Sequence, residues 1–305
     1  MGHLHSTMKN IVFITGHNGF VGNNLLSFFY GKYQINKYIK NSEISIQGNI
    51  VIHLAGKAHD LKKTSTQEDY YYVNTELTKK LFDAFLDSNS KVFITLSSVK
   101  AVADEVEGRL TEETNPNPIT HYGISKMLAE QYILSKKLPK DKRVYILRPC
   151  MIHGPGNKGN LNLLYKLASR GIPWPLGSFD NKRSFCSIDN LMFIFKELIE
   201  RQDIPSGVYN VADDEALSTN EVISILANSQ NRKANIWKVS KGLIHFFAKI
   251  GDVLRLPLTT ERLQKLTESY VVSNQKIKTA FGKDLPVSAK DGLLKTFNSF
   301  HKNAQ

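Results

Sequence analysis

Short, continuously apolar runs recur at Ile11–Thr15, Ile50–Leu54, Val92–Leu96 and Val144–Leu147. They do not alternate apolar with polar, so each reads as a strand buried on both faces. Between them, apolar residues fall at helical spacing from Val21 to Tyr30, Tyr72 to Leu86 and Ser125 to Leu138. Strands that alternate with helices in this way predict a parallel sheet covered on both sides, a doubly wound α/β fold.

After Arg148-Pro149 the pattern loosens. Gly154-Pro155-Gly156, Pro173, Pro175 and Gly177 punctuate it, before a helix from about Asp189 to Glu200 and a strand at about Val208–Val211. This part reads as a smaller, mixed α/β domain woven onto the first and lying over the carboxyl ends of its strands. Its segment Leu243–Leu254 is an amphipathic helix, with apolar residues expected in a core or a subunit contact rather than in a membrane.

Composition narrows the class. The 305 residues are 41% hydrophobic and 22% charged, enough for a substantial core. Met1–Thr7 reads as a tag remnant, with Met8 the natural start. No apolar run approaches the roughly 20 residues a bilayer requires, and no signal-peptide pattern precedes Ile11, so a cytoplasmic protein is expected. Cys150 and Cys186 form neither a disulfide framework nor a zinc pattern, and no metal site is expected. The net charge of +12 is spread along the chain without a dense basic block. That pattern suits a solvated basic surface that draws in anionic ligands, and nucleic acid is not an expected partner.

Candidate chemistry begins at Thr15-Gly16-His17-Asn18-Gly19-Phe20-Val21-Gly22, where three glycines sit between the first strand and the first helix. Glycines there allow a tight turn and a close approach of backbone to a pyrophosphate resting on the free N–H groups of the helix start. A nicotinamide dinucleotide is therefore expected, held by residues 8–149 with about 188–211 returning to them. Residues 150–187 and 212–305 are left as the substrate domain. An acid normally meets the adenosine ribose at the end of the second strand, but Tyr33–Asn41 contains none. Lys40 stands about where the acid is expected, which suits a 2′-phosphate and leans toward NADP over NAD.

Tyr122 and Lys126 form a YxxxK pair one helical turn apart. The ammonium is expected to lower the phenol's pKa and make Tyr122 an acid/base near neutral pH. Ser98, with Ser97 at the end of a strand upstream, supplies a hydroxyl to hold a sugar oxygen.

Together with Val51-Ile52-His53-Leu54-Ala55-Gly56, Asn74 and Arg148-Pro149, these motifs occur in the order seen in extended short-chain dehydrogenase/reductases. More narrowly, the chain resembles the NAD-dependent epimerase/dehydratase family of nucleotide-sugar enzymes, over nearly all of Met8 to Leu294. The resemblance implies a Rossmann-type fold and a homodimer built on the helices Tyr72–Leu86 and Ser125–Leu138. It implies cofactor contacts from Gly16, Asn18, Gly19, Phe20, Val21, Gly22, Leu54, Ala55, Gly56, Asn74, Ser97, Tyr122, Lys126 and Pro149. It also implies a UDP-sugar substrate held by Ser98, Tyr122, Asn160, Leu161, Arg183 and Arg262, with Arg183 on the pyrophosphate.

Val99 and Lys100 stand where the family's dehydratases carry an acidic pair, which argues against elimination of water. A UDP-glucose 4-epimerase-like enzyme and a 4-keto-reductase remain, both acting at C4. The alternative from another class is a non-catalytic NAD(P)-binding regulatory or RNA-binding protein, against which Ser98, Tyr122 and Lys126 stand together. Two motifs depart from the family: Val102-Ala103-Asp104 follows the serines, and His153 precedes Gly154. Moreover, the stretch from Lys40 to Leu54 is too short for the usual helix and strand there, which implies a reshaped adenine pocket.

Overall fold

A computed structural model describes residues 10–57, 66–157, 160–169, 171–254, 256 and 258–302. The remnant Met1–Thr7, Met8 and the side chain of Asn160 lie outside the described residues.

Strand β1 (Ile11–Thr15) leads into helix α1 (Phe20–Phe29), the edge strand β2 (Gln34–Lys37) and then β3 (Ile50–His53). One long helical stretch follows: α2 (Gln67–Tyr70), a π-helical turn at Tyr71–Glu76 and α3 (Leu77–Asp87). Strand β4 (Val92–Leu96), a 3-10 turn (Val99–Ala101), short β5 (Arg109–Leu110), helix α4 (His121–Ser135) and β6 (Arg143–Pro149) complete the first half. The second half runs β7 (Met151–His153), α5 (Asn160–Ser169), β8 (Phe185–Ser187), α6 (Ile188–Glu200) and β9 (Gly207–Val211). It ends with α7 (Thr219–Ser229), α8 (Lys241–Leu254), α9 (Thr260–Thr267), β10 (Val271–Val272), α10 (Gln275–Phe281) and α11 (Ala289–Lys302).

Six strands form one parallel sheet in the order β2-β1-β3-β4-β6-β9. Alternate residues of each strand face opposite sides. Val12, Ile14, Ile52, Ile94 and Leu147 pack with Leu25 and Phe29 of α1 and Leu191, Phe195 and Leu198 of α6. Phe13, Val51, Phe93 and Ile146 pack with Leu81, Phe82 and Phe85 of α3 and Ile133 of α4. The fold is therefore the expected doubly wound α/β architecture. The order turns back at β1, and the carboxyl ends of β1 and β3 open a crevice where such sheets receive ligands.

No helix joins β2 to β3. Residues 38–49 cross instead as an irregular segment whose Tyr38, Ile44 and Ile46 pack against the Phe13–Val51–Phe82 cluster. Its return is fastened to β1: Asn49 N–H donates to Ile11 O at 3.1 Å, and Ile11 N–H donates to Asn49 Oδ1 at 2.9 Å.

Two small sheets, β5-β10 and β7-β8, stand apart from the six-stranded sheet. Arg183 bridges to Leu217 on one side and Tyr270 on the other. Helix α8 buries one narrow stripe in the core. Only Ile244, Ala248 and Gly251 are buried, whereas Leu243, Phe246, Phe247, Val253 and Leu254 are exposed. Cys150 and Cys186 are buried free thiols. Among the described residues no cluster of side chains could hold a metal, and no helix is long and apolar enough to cross a membrane.

Candidate active site

The glycine loop is built for backbone approach. Gly16 adopts φ +71°, and a Cβ there would lie 2.4 Å from Ala55 N. A Cβ on Gly22 would lie 2.4 Å from Gly16 O. Only hydrogen atoms fit at these contacts, so β1, α1 and the residues after β3 converge on one cradle. Gly19 caps α1 without a side-chain hydrogen bond and donates its own N–H back to Gly16 O at 3.1 Å. The first amides of α1, at Phe20, Val21 and Gly22, stand at a helix start, where backbone N–H groups lack helical partners and suit an anion.

Behind the cradle runs an ordered chain of hydrogen bonds. Ala55 N–H donates to Thr15 Oγ1 at 3.2 Å, and Thr15 donates to His53 Nδ1 at 2.7 Å. His53 Nε2 donates to Thr78 Oγ1 at 2.8 Å, and Thr78 donates to Asn74 O at 2.7 Å. Because each hydroxyl has one proton, this order fixes the neutral Nε2–H tautomer of His53. Burial, aided by the charge of Lys126, pushes the His53 imidazole down to about 3.

Asn74 lies in the π-helical turn, a device common at functional sites. Its Oδ1 accepts from Lys57 N–H at 2.8 Å, while Nδ2 donates to Lys57 O at 3.1 Å and to Ser125 Oγ at 3.0 Å. Ser125 in turn donates to Tyr122 O at 2.8 Å. One buried amide thus ties the chain after β3 to the helix that carries Tyr122 and Lys126.

Ser98, Tyr122 and Lys126 meet at the end of β4. Ser98 is hydrogen-bonded to the Tyr122 side chain and accepts from Lys100 N–H at 3.2 Å. Lys126 is buried, and its Nζ donates to Leu96 O at 2.9 Å. A Cβ on Gly56 would stand 3.0 Å from that Nζ, which puts the ammonium beside Gly56. Burial pushes Lys126 down to about 8, against the opposing charge of Glu130. The pKa of Tyr122 is raised by burial, with the Ser98 hydrogen bond opposing.

Three features that place α4 were missed in the sequence. Asp104 Oδ2 accepts from Ile119 N–H at 2.8 Å and Thr120 N–H at 3.1 Å, and Thr120 Oγ1 caps the helix by accepting from Gly123 N–H. A Cβ on Gly123 would lie 2.4 Å from Lys100 O, so glycine lets α4 touch the segment after Ser98. Glu130 forms a buried pair with Arg148 at the end of β6, at 3.0 Å and 2.5 Å. Asp104 occupies the motif that departs from the family, and Glu130 follows Lys126 by one turn of α4. Neither spacing alone names a partner.

The remaining expected residues fall in several places. Asn18 and Gly19 are exposed on the loop, Leu54, Ala55 and Gly56 line the turn after β3, and Pro149 ends β6. Ser97 is buried, and Pro149 pairs with Val211. Arg183 lies between Lys265 O at 2.8 Å and Glu268 Oε1 at 2.7 Å. Lys100, whose ammonium sits over the Tyr270 ring, is close enough for Arg183 to help burial lower its pKa. The Leu161 side chain is buried among Phe185, Val222, Leu226 and Phe297. Arg262 is exposed on α9. Lys40 is exposed in a turn beyond β2, and the lysine at the strand's end is Lys37, in register with Ile14.

These residues fit a dinucleotide. Free helix amides and an impassable glycine cradle suit its pyrophosphate. Ser97 Oγ and His17 Nδ1 are buried polar atoms with no hydrogen-bond partner among the described residues. Residues 32–212 match the NAD dependent epimerase/dehydratase family, and the chain belongs to that family. It is 28% identical to UDP-glucose 4-epimerase of Vibrio cholerae over 96% of both chains. It is 27% identical to N-acetyl-alpha-D-glucosaminyl-diphospho-ditrans,octacis-undecaprenol 4-epimerase of Escherichia coli O157:H7, over 74% of both. Its fold is shared with MoeE5 in complex with UDP-glucose and NAD, at TM-score 0.73 and 20% identity, over 97% of this chain and 100% of that one.

Proposed function

We propose that the chain is an NAD(P)-dependent enzyme acting at C4 of a UDP-hexose, as a 4-epimerase or a 4-keto-reductase. The observation that carries the reading is the Ser98–Tyr122 hydrogen bond at the carboxyl end of β4, with Lys126 anchored beside it on Leu96 O. Gly16, Gly19 and Gly22 with the α1 amides hold the cofactor's pyrophosphate, Asn74 fixes the chain after β3, and Ser97 and Lys126 face its reacting end. The bound cofactor supplies hydride transfer at the sugar carbon. Ser98 holds the C4 oxygen, and Tyr122 takes or returns its proton. Arg183, with Lys100 beside it, supplies positive charge for the sugar's diphosphate. The Escherichia coli relative is named for a lipid-linked sugar diphosphate, and the same chemistry serves either carrier.

Epimerisation requires cofactor that stays bound through both half-reactions, whereas a reductase exchanges it every cycle. The exposed Lys37 and Lys40 and the missing helix at the adenosine end favour exchange of NADPH. Mass spectrometry of nucleotide released from denatured protein separates the two. Retained NAD points to the epimerase, and an empty protein that takes up NADPH points to the reductase. Tyr122→Phe is expected to keep cofactor binding and lose turnover by about 10²–10⁴-fold. Unchanged turnover, or a wild-type protein that binds neither cofactor, would overturn the reading.

A further inference from the structure

Helix α8 presents three faces. Ile244, Ala248 and Gly251 form a narrow buried stripe against the cluster of Trp174, Phe179, Ile223 and Leu263. Lys241, His245, Lys249 and Asp252 form a polar face. The third face is apolar and open: Leu243, Phe246, Phe247, Val253 and Leu254 recur at the spacing of one helical stripe. Their exposures are 47%, 59%, 51%, 80% and 64%. Trp237, 55% exposed, precedes the helix, and Leu256, 46% exposed, follows it where the chain folds back so that Leu256 N–H donates to Gly251 O at 3.0 Å.

The flanking sequence is basic. Arg232, Lys233, Lys238, Lys241 and Lys249 are all exposed, while Asp252 is the one acid in the sequence from Arg232 to Leu258. Asp252 is engaged by Thr260, accepting from its N–H at 2.9 Å and from its hydroxyl.

We propose that this face docks the protein onto an anionic lipid bilayer. An exposed stripe of Phe, Leu and Trp edged by lysines is what an interfacial helix needs, apolar groups at the acyl boundary and cations at the headgroups. Charge argues against a second copy of the chain as occupant. A two-fold contact would set the patch against itself and bring these cations together, whereas anionic lipids neutralise them. The placement has a consequence for the site. Helix α8 rests on α9, whose Lys265 carbonyl accepts from Arg183, so the docked face is joined to the basic pair Arg183 and Lys100 through two packed helices.

The test uses the full chain with vesicles of phosphatidylcholine alone or mixed with phosphatidylglycerol. Cosedimentation with the mixed vesicles is expected, falling about fivefold for each of Lys241→Glu and Lys249→Glu. Trp237 emission is expected to shift to shorter wavelength on binding, and Trp237→Phe to remove the shift, since Trp174 is already buried. Phe246→Ser with Phe247→Ser is expected to weaken binding about a hundredfold while leaving the thermal midpoint and cofactor binding unchanged. Failure of the wild type to bind the mixed vesicles overturns the proposal. Binding that survives the double serine variant does the same. So does a wild-type dimer that this variant dissociates while vesicle binding stays absent.

Discussion

The two ends of the crevice along β1 and β3 are built in opposite ways. At the inner end, β3, β4 and α4 are tied by buried polar groups that satisfy one another: His53 between two threonines, Asn74 on Lys57 and Ser125, Lys126 on Leu96, Glu130 on Arg148. At the outer end, β2 stops at Lys37, no acid follows, and residues 38–49 cover the sheet with three half-buried apolar side chains in place of a helix. Reaction geometry must be held to a fraction of an ångström, and interlocked buried polar groups do this because each becomes costly once its partner is lost. A handle for an adenosine needs only affinity, which exposed side chains can supply. On the proposed reading, the difference teaches that the end where atoms would react is interlocked by buried polar groups, while the end that would grip the adenosine is open.

The largest effect is expected where the inner end is most buried. Glu130→Ala leaves Arg148 charged and unpaired inside the protein, and about 3–5 kcal/mol of stability should be lost in urea unfolding. Lys40→Ala at the outer end should stay within about 0.5 kcal/mol of wild type. Similar losses from both would remove the contrast between the ends.

His53 sharpens the comparison through pH. Its folded-state pKa lies at about 3, below the ordinary 6.5, so the unfolded chain binds a proton across that interval and the folded protein does not. His53 therefore contributes fully above about pH 6.5, and its contribution falls as pH drops toward 3, by about 1.4 kcal/mol per pH unit. His53→Gln should lower stability at pH 7 yet show a shallower decline between pH 6.5 and 5 in urea midpoints. Equal slopes would mean that the ring takes up a proton in the folded state.

Much of the inner end was legible in the sequence because glycine spacing, the YxxxK pair and the paired serines lie within short segments. The absence of a helix before β3 was legible too, from the distance between Lys40 and Leu54. What stayed hidden depends on long-range pairing. Thr15 reaches His53 across parallel strands, and Glu130 finds Arg148 only after β6 is laid beside β4. At α8 the periodic pattern showed that an apolar face exists but not what covers it.

The smallest effect is expected at the outer end itself. Lys37 closes β2 in register with Ile14, and Lys40 lies in the exposed turn beyond it. Either ammonium in reach of a 2′-phosphate makes a solvent-screened pair worth about 0.2–1 kcal/mol, because water competes for both partners. Removing both as Lys37→Ala with Lys40→Ala should weaken NADPH relative to NADH by no more than about thirtyfold and leave NADH affinity nearly unchanged. Dissociation constants for both cofactors, measured at low and physiological salt, check this, and the NADPH loss should shrink as salt rises. If the ratio does not move, these lysines do not read the phosphate and the shortened outer end offers no charge-based choice between cofactors. If it moves by far more, the segment 38–49 encloses the phosphate out of water, and the outer end is a built pocket like the inner one.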